Sequence, residues 1–82
     1  MTVELYEVSY AEAETFFYEE NQLPKGTEDD FSLDDGGYVD ADAGDMRRYV
    51  VIEFTGDIDL EDEVFEMIEE LSDEYGGEIY DY

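Results

Sequence analysis

Between Leu60 and Tyr75 the chain has the sequence LEDEVFEMIEELSDEY, which predicts one amphipathic helix. Apolar side chains recur at three- and four-residue spacing and so share one stripe: Leu60, Val64, Met67, Ile68 and Leu71. Most other positions are carboxylates: Glu61, Asp62, Glu63, Glu66, Glu69, Glu70, Asp73 and Glu74. No lysine or arginine lies at i+4 to neutralise them, so like charges repel along the helix.

The linear charge density of this helix is close to that of a nucleic-acid strand. At about 1.5 Å per residue the segment spans about 24 Å, so its acids supply about one charge every 3 Å. One strand of duplex DNA has about one charge every 3.4 Å. The alternative interpretation is an ordinary solvated helix face, which is the usual explanation of a charged run.

The composition predicts a single folded domain over residues 1–82 with a strongly anionic surface. There are 27 Asp and Glu against 3 Lys and Arg, a formal charge of −24. Such a charge alone favours disorder, but the chain is 43% hydrophobic with eight Tyr and five Phe, and its apolar residues are periodic. We therefore expect an ordered domain that self-repulsion weakens at low ionic strength.

Several classes of function are disfavoured by the same composition. The sequence contains no Cys and no His, which excludes disulfides, thiol catalysis and imidazole acid–base chemistry. The segment MTVELYE does not resemble a signal peptide, and no run approaches the roughly 20 apolar residues of a membrane span. We expect a cytoplasmic protein without membrane association. Because nucleic-acid binding requires a cationic surface, the expected partner is instead a cationic macromolecule.

The first half of the chain predicts a strand, a capped helix and a long loop. Residues 2–8 alternate in polarity and form the first strand. Ser9 and Glu12 match a capping box, which begins a helix that runs to about Asn21. The buried positions of this helix are expected to be Ala13, Phe16 and Phe17. Lys25–Gly37 is rich in acids and turn residues and is expected to be a loop.

The second half predicts a hairpin, the acidic helix and a last strand. Tyr38–Asp42 and Arg47–Thr55 are strands joined by a short glycine-containing turn. Asp59 is the expected N-cap of the acidic helix, and Gly76 is expected to end it. Glu78–Tyr82 is the expected terminal strand.

The element order β-α-β-β-α-β resembles the ferredoxin-like split βαβ sandwich, an α+β fold with a four-stranded antiparallel sheet and two helices on one face. The sheet residues expected to face the helices are Val3, Leu5, Val39, Ala41, Val50, Ile52, Phe54 and Ile79. The other face is expected to be open and to present Glu4, Tyr6, Tyr49, Val51, Glu53 and Tyr80. Such a face is a partner site, is covered by the loop or a terminus, or forms a homodimer.

Motifs for metal binding and catalysis do not fit. DADAGD at 40–45 places Gly44 at the fifth position and Val51 at the twelfth, so it fails the EF-hand pattern, as does DIDLED at 57–62. Carboxylate pairs are too common here to indicate a catalytic site, and the serines have no histidine base. We expect no enzyme activity, no cofactor and no specific metal. Arg47 and Arg48 are expected to pair with neighbouring acids, with anion binding as the alternative.

The size of the domain supports one function over the others. A chain of this length has an expected diameter near 30 Å, and a duplex of that length carries about 18 charges, comparable with −24. In size and composition the chain resembles the DNA-mimic inhibitors of bacterial defence that phages and mobile elements encode. The resemblance covers the whole chain and involves no shared motif. It implies a non-catalytic inhibitor of a CRISPR effector complex (an anti-CRISPR protein), or next of a restriction enzyme, in a bacterial host.

Two rows of carboxylates are the predicted contacts with the partner's Lys and Arg. The first row, on the acidic helix, consists of Glu61, Asp62, Glu66, Glu69, Glu70, Asp73 and Glu74. The second, in the loop and hairpin, consists of Asp29, Asp30, Asp34, Asp35, Asp40, Asp42 and Asp45. Two alternatives stay open: an ordinary acidic domain of a halophile, and a module that pairs through its open sheet. Frequent Glu, plentiful aromatics and scarce Ala are unlike typical haloarchaeal proteins.

Overall fold

The chain forms an α+β fold with a four-stranded antiparallel sheet and two helices. The computed structural model describes residues 1–20, 23–42 and 45–81, and for 39–42, 45 and 81 it describes the backbone. The strands are β1 (Thr2–Tyr6), β2 (Phe31–Asp42), β3 (Asp45–Phe54) and β4 (Glu78–Asp81). The helices are α1 (Tyr10–Glu14), which continues as a π-helical segment (Thr15–Glu20), and α2 (Ile58–Tyr75). Glu28–Asp30 form a 3-10 turn before β2.

The strand order is β2-β3-β1-β4, and every neighbouring pair is antiparallel. Val3 pairs with Ile52, and Leu5 pairs with both Val50 and Ile79. Because opposite residues of a pair share a face of the sheet, these side chains lie on one side. The buried residues of both helices join them in a single core cluster, which confirms the predicted central core residues of β1 and β3.

The first helix begins at the predicted capping box. The Ser9 N–H donates to the Glu12 carboxylate at 2.9 Å, and the Glu12 N–H donates to Ser9 Oγ at 3.2 Å. From Thr15 the backbone widens into π turns, and Phe16 and Phe17 are both buried. Phe17 packs against Phe31 of β2 with ring centroids 5.0 Å apart. The predicted end of the helix at Asn21 lies outside the described residues.

The acidic helix begins two residues earlier than predicted. Asp57, not Asp59, is the N-cap: its backbone is extended and its carboxylate accepts a hydrogen bond from the Asp59 N–H at 3.0 Å. Gly76 ends the helix in the left-handed region at φ 68°, as predicted, and its N–H donates to the Ser72 carbonyl. The predicted apolar stripe is confirmed: Val64, Ile68 and Leu71 are fully buried, while Leu60 and Met67 pack at its margins.

The predicted loop Lys25–Gly37 is wrong from Phe31 onward, because β2 begins there and runs to Asp42. Phe31 pairs with Phe54, and Leu33 pairs with Ile52. The apolar residues of β3 therefore draw this acidic part of the chain into the sheet as a strand. The predicted strand Tyr38–Asp42 is the far end of this longer strand. The predicted inward side chains of Val39 and Ala41, and the turn residues Ala43 and Gly44, lie outside the described part of the chain.

The long β2–β3 hairpin makes the molecule elongated. Its principal extents are 42 × 25 × 18 Å and its radius of gyration is 12.5 Å. Gly36 lies at a bulge between Asp35 and Gly37, where a side chain would collide with the ring of Tyr49. Neither helix in the described residues combines the length and apolarity that a bilayer crossing would require.

Candidate acidic interface

The solvent-facing side of α2 carries a dense set of carboxylates, which we call the α2 acidic face. Its exposed members are Asp59, Asp62, Glu63, Glu66, Glu69, Glu70, Asp73 and Glu74. From first to last they span about 22 Å of helix, or about one charge every 3 Å. The sequence prediction omitted Asp59 and Glu63 and included Glu61. Glu61 is only half exposed and lies in the first turn, where a negative charge favours the helix N-terminus.

Both arginines pair with acids outside this face. Arg47 Nε donates to Glu7 Oε1 at 2.6 Å, and Arg47 Nη2 lies 3.1 Å from Glu78 Oε2. Arg48 Nη2 lies 3.8 Å from Glu12 Oε1, so the predicted pairing of both arginines with acids is confirmed. Among the described residues, no ion pair reaches the α2 acidic face. Its carboxylates therefore remain available to an external cation.

The side chain of Arg47 links three strands on the sheet face that carries Tyr6. Its guanidinium lies over the Tyr6 ring at 5.0 Å from the centroid, between the carboxylates of Glu7 and Glu78. The hydrogen bond from the Tyr80 hydroxyl, followed by Arg47, lowers the pKa of Glu78. Glu7 has a left-handed backbone at φ 71°, an uncommon conformation for a non-glycine residue. The ion pair holds this residue in place after β1.

Replacing Arg47 with methionine is expected to lower the midpoint of urea denaturation near neutral pH, because two carboxylates lose their shared cation. The pKa of Glu78 is lowered in the folded protein, so its stabilising contribution exists above its ordinary pKa and is lost as the pH falls through the lowered value. The difference between the two proteins should therefore shrink as the pH falls below the ordinary glutamate pKa of about 4.3. Arg48→Met, which removes a longer ion pair, is the matched control. If the difference in urea midpoint does not change with pH, the effect of Arg47→Met arises from lost packing and not from the ion pair.

The second predicted row does not form one surface. Asp29 and Asp30 are exposed on the 3-10 turn, whereas Asp34 and Asp35 are exposed on β2. Asp34 pairs with Val51 and Asp35 with Val50, so the two aspartates lie on opposite faces of the sheet. The backbones of the other three predicted members lie toward the far end of the hairpin, and their side chains are outside the described set: Asp40, Asp42 and Asp45. Side chains alternate between the two faces along β2, a strand longer than predicted, and so the aspartates of this row do not share one face.

The sheet face that carries Tyr6 and Tyr49 has an aromatic centre. Tyr6 stacks on Tyr49 with centroids 5.0 Å apart and an interplanar angle of 17°. Tyr80 meets Tyr6 edge-on, also at 5.0 Å. Burial and the hydrogen bond to Glu4 raise the pKa of Tyr6. The rings cover one another, and Tyr6 and Tyr49 are half-buried.

The two acidic segments that resembled metal-binding loops are 40–45 and 57–62. Asp57 caps α2, and Asp59 lies in its first turn. Among the described residues, no group of three or more acids is arranged to hold a metal ion. The segment at 40–45 has no described side chains.

A surface cleft beside the π-helical segment was not foreseen from the sequence. It has a volume of about 290 Å³ and is lined by Phe17, Tyr18, Leu23 and Glu28. These residues all lie between positions 17 and 28 of the sequence, and none belongs to a motif. Only the approach of the π-helical segment to the turn before β2 brings them together.

No protein-family model, curated protein or solved structure matches this chain. A functional proposal therefore has to rest on the chemistry of the surfaces described above. Of these, the α2 acidic face is the most extensive, and it lies on a helix fixed by three fully buried side chains, those of Val64, Ile68 and Leu71.

Proposed function

We propose that the protein is a non-catalytic DNA mimic that occupies the cationic nucleic-acid groove of a host defence complex and blocks DNA binding. The proposal rests on one observation: eight exposed carboxylates on α2 have no cationic partner within the described chain. A CRISPR effector complex is the first candidate target and a restriction enzyme the second, an order that follows from the resemblance in size. The protein would act in the cytoplasm of the host bacterium.

The dimensions of the molecule support this proposal. A duplex as long as the 42 Å principal axis carries about 25 phosphate charges at about one per 1.7 Å. The formal charge of the protein is −24. A groove shaped for duplex DNA would thus meet a similar total charge over a similar length.

Energetic considerations favour binding through α2. The buried stripe fixes the helix against the sheet, so its carboxylates are held in an array and only their side-chain rotamers are ordered on binding. Association would release counterions from the cationic groove, and long-range attraction would accelerate the encounter. Neighbouring acids repel one another in the free helix, and this repulsion is relieved when cations of the partner pair with them. The relief adds to the free energy of binding.

We also propose the ferredoxin-like arrangement for the fold. The strand order β2-β3-β1-β4 supports it, since the helical connections run from β1 to β2 and from β3 to β4, each past one intervening strand. This arrangement would place both helices on one side of the sheet. Asp34 would then face away from the α2 acidic face, so we assign the principal contact to α2 alone.

The direct test is displacement of DNA. Fluorescently labelled duplex is bound to purified Cas effector complexes and restriction enzymes of candidate hosts, and the protein is added in increasing amounts. We expect one of these complexes to lose its DNA at a stoichiometric amount of protein, and the effect to weaken steeply with salt. The proposal fails if every complex retains its DNA in the presence of excess protein at low salt.

Thermal stability as a function of salt distinguishes the mimic from a halophile's protein. We expect a folded domain in about 0.1 M salt, where the Debye length is about 10 Å, with a melting temperature that rises toward about 1 M. Circular dichroism measures both. A domain adapted to high salt would be unfolded at the lower concentration, and that result would favour the halophile alternative.

A pairing module is the second candidate, because the Tyr6, Tyr49 and Tyr80 cluster is an open aromatic surface. Self-association through this face would bring two chains of charge −24 together, which long-range repulsion opposes. We therefore expect a monomer by light scattering at physiological salt. A homodimer that Tyr49→Ser dissociates would favour the second candidate.

A further inference from the structure

The cleft beside the π-helical segment combines apolar walls with one carboxylate. Phe17 and Leu23 are its buried residues, at 0% and 9% exposure. Tyr18 is 50% exposed, and Glu28 is exposed. At about 290 Å³ the cleft lies at the lower limit of ordinary small-ligand sites, which occupy about 300–1,000 Å³. A single side chain of a partner is an occupant of suitable size.

The walls of the cleft are fixed by contacts within the chain. Tyr18 meets the ring of Phe31 edge-on at 6.2 Å. The buried Thr27 binds the Pro24 carbonyl twice, through its hydroxyl at 2.6 Å and its N–H at 3.1 Å. The Gly26 N–H donates to Glu28 Oε2 at 3.2 Å. The turn that positions Leu23 and Glu28 is thus held before any ligand arrives, which lowers the entropic cost of binding.

The chemistry of these walls selects a cation with an aliphatic stem. Leu23 and Phe17 complement methylene groups, while an aromatic ring beside a carboxylate complements a guanidinium. Burial, followed by the charges of Tyr10 and Glu14, raises the pKa of Tyr18. A purely apolar occupant would desolvate Glu28 without compensation. An anionic occupant would be repelled by the whole molecule.

The protein already contains such an arrangement at another place. The guanidinium of Arg47 lies over Tyr6 and between the carboxylates of Glu7 and Glu78. In the cleft, Tyr18 and Glu28 offer an aromatic ring and a carboxylate, and none of the ion pairs found among the described residues involves Glu28.

We propose that this cleft binds one arginine side chain of the partner, with its methylene stem against Leu23 and Phe17 and its guanidinium beside Tyr18 and Glu28. The inference rests on the proposed function for the source of the arginine, a cationic nucleic-acid groove. The binding chemistry itself belongs to this chain. A seated arginine would fix the orientation of the inhibitor, which a uniform field of carboxylates cannot do.

Titration of the isotope-labelled full chain with N-acetyl-arginine methylamide, followed by NMR at physiological salt, tests the inference. We expect saturable shifts confined to the cleft, with the neutral isostere N-acetyl-citrulline methylamide binding at least about tenfold more weakly. Glu28→Gln should weaken arginine binding about tenfold, as the loss of one charge-assisted hydrogen bond predicts. Glu63→Gln, an equal change of charge on α2, should leave it unaltered.

Three results would overturn the inference: equal binding of citrulline, shifts spread evenly over the cleft and the α2 acidic face, or no effect of Glu28→Gln. Any of them would leave the displacement of DNA untouched as a test of the proposed function. Conversely, if arginine binds in the cleft and no defence complex loses its DNA, the proposed partner is wrong and the cleft chemistry stands.

Discussion

Replacing Asp62, Glu66, Glu69 and Asp73 together with lysine is expected to weaken binding to the target complex by about 1,000-fold. These four residues form one ridge of the α2 acidic face, and the change moves the formal charge from −24 to −16, because each substitution adds two units. Four lost ion pairs at about 1 kcal/mol each, followed by repulsion from the groove, account for the effect. The measurement is the concentration of protein that displaces labelled DNA.

The same variant should be at least as stable as the natural protein. Its lysines fall three or four residues from Asp59, Glu63 and Glu70, so four repulsive pairs become attractive, while the pairs between neighbouring lysines replace acid–acid repulsion with an equal repulsion. A raised melting temperature with lost inhibition would separate function from folding. The matched control places four lysines at acids outside the ridge: Glu4, Glu19, Glu20 and Glu53. If the control loses inhibition equally, total charge rather than the ridge determines binding.

Replacing Phe17 with alanine is expected to destabilise the protein by about 3–5 kcal/mol, the usual cost of deleting a buried aromatic side chain. Phe17 is fully buried and contacts the rings of Phe16 and Phe31 at 5.2 Å and 5.0 Å. A domain of this length has a total stability of about 4–12 kcal/mol, so this one change removes a large share of it. Thermal and urea denaturation followed by circular dichroism measure the loss.

The neighbouring Tyr18 supplies the control for this prediction. Its ring is half exposed, so Tyr18→Ala should cost much less stability, although we expect it to abolish arginine binding in the cleft. Phe17→Leu should fall between the two, because it leaves a smaller cavity. If Phe17→Ala melts within a few degrees of the natural protein, the π-helical segment is not a fixed part of the core.

The buried apolar stripe of α2 explains why this helix is stable despite the repulsion between its acidic side chains. Its intrinsic stability is lowered by like charges at i+3 and i+4, and no cation of the described chain offsets them. Tertiary burial of Val64, Ile68 and Leu71 offsets this loss. Where function requires a destabilising surface, mutations that neutralise it should raise stability and lower inhibition together.

Features encoded by local spacing were predictable from the sequence. The Ser9 and Glu12 capping box, the stripe of α2 and the stop at Gly76 all depend on residues within one or two turns of each other. Most exposed acids of α2 follow from that stripe, since positions outside it tend to face solvent, although Glu61 is only half exposed. The length of β2 was not predictable, because Phe31 and Leu33 join the sheet only through Phe54 and Ile52.

By itself the sequence determined the charge, the helix faces and the alternation of β3, which arise from neighbouring residues. Tertiary structure alone decided which distant groups meet. It pairs Arg47 with Glu7, 40 residues away, and so removes that cation from competition for the α2 acidic face. It also splits the second acidic row between two faces of the sheet. The physical reason is that periodicity encodes which side chains are buried, whereas strand order and register decide what they are buried against.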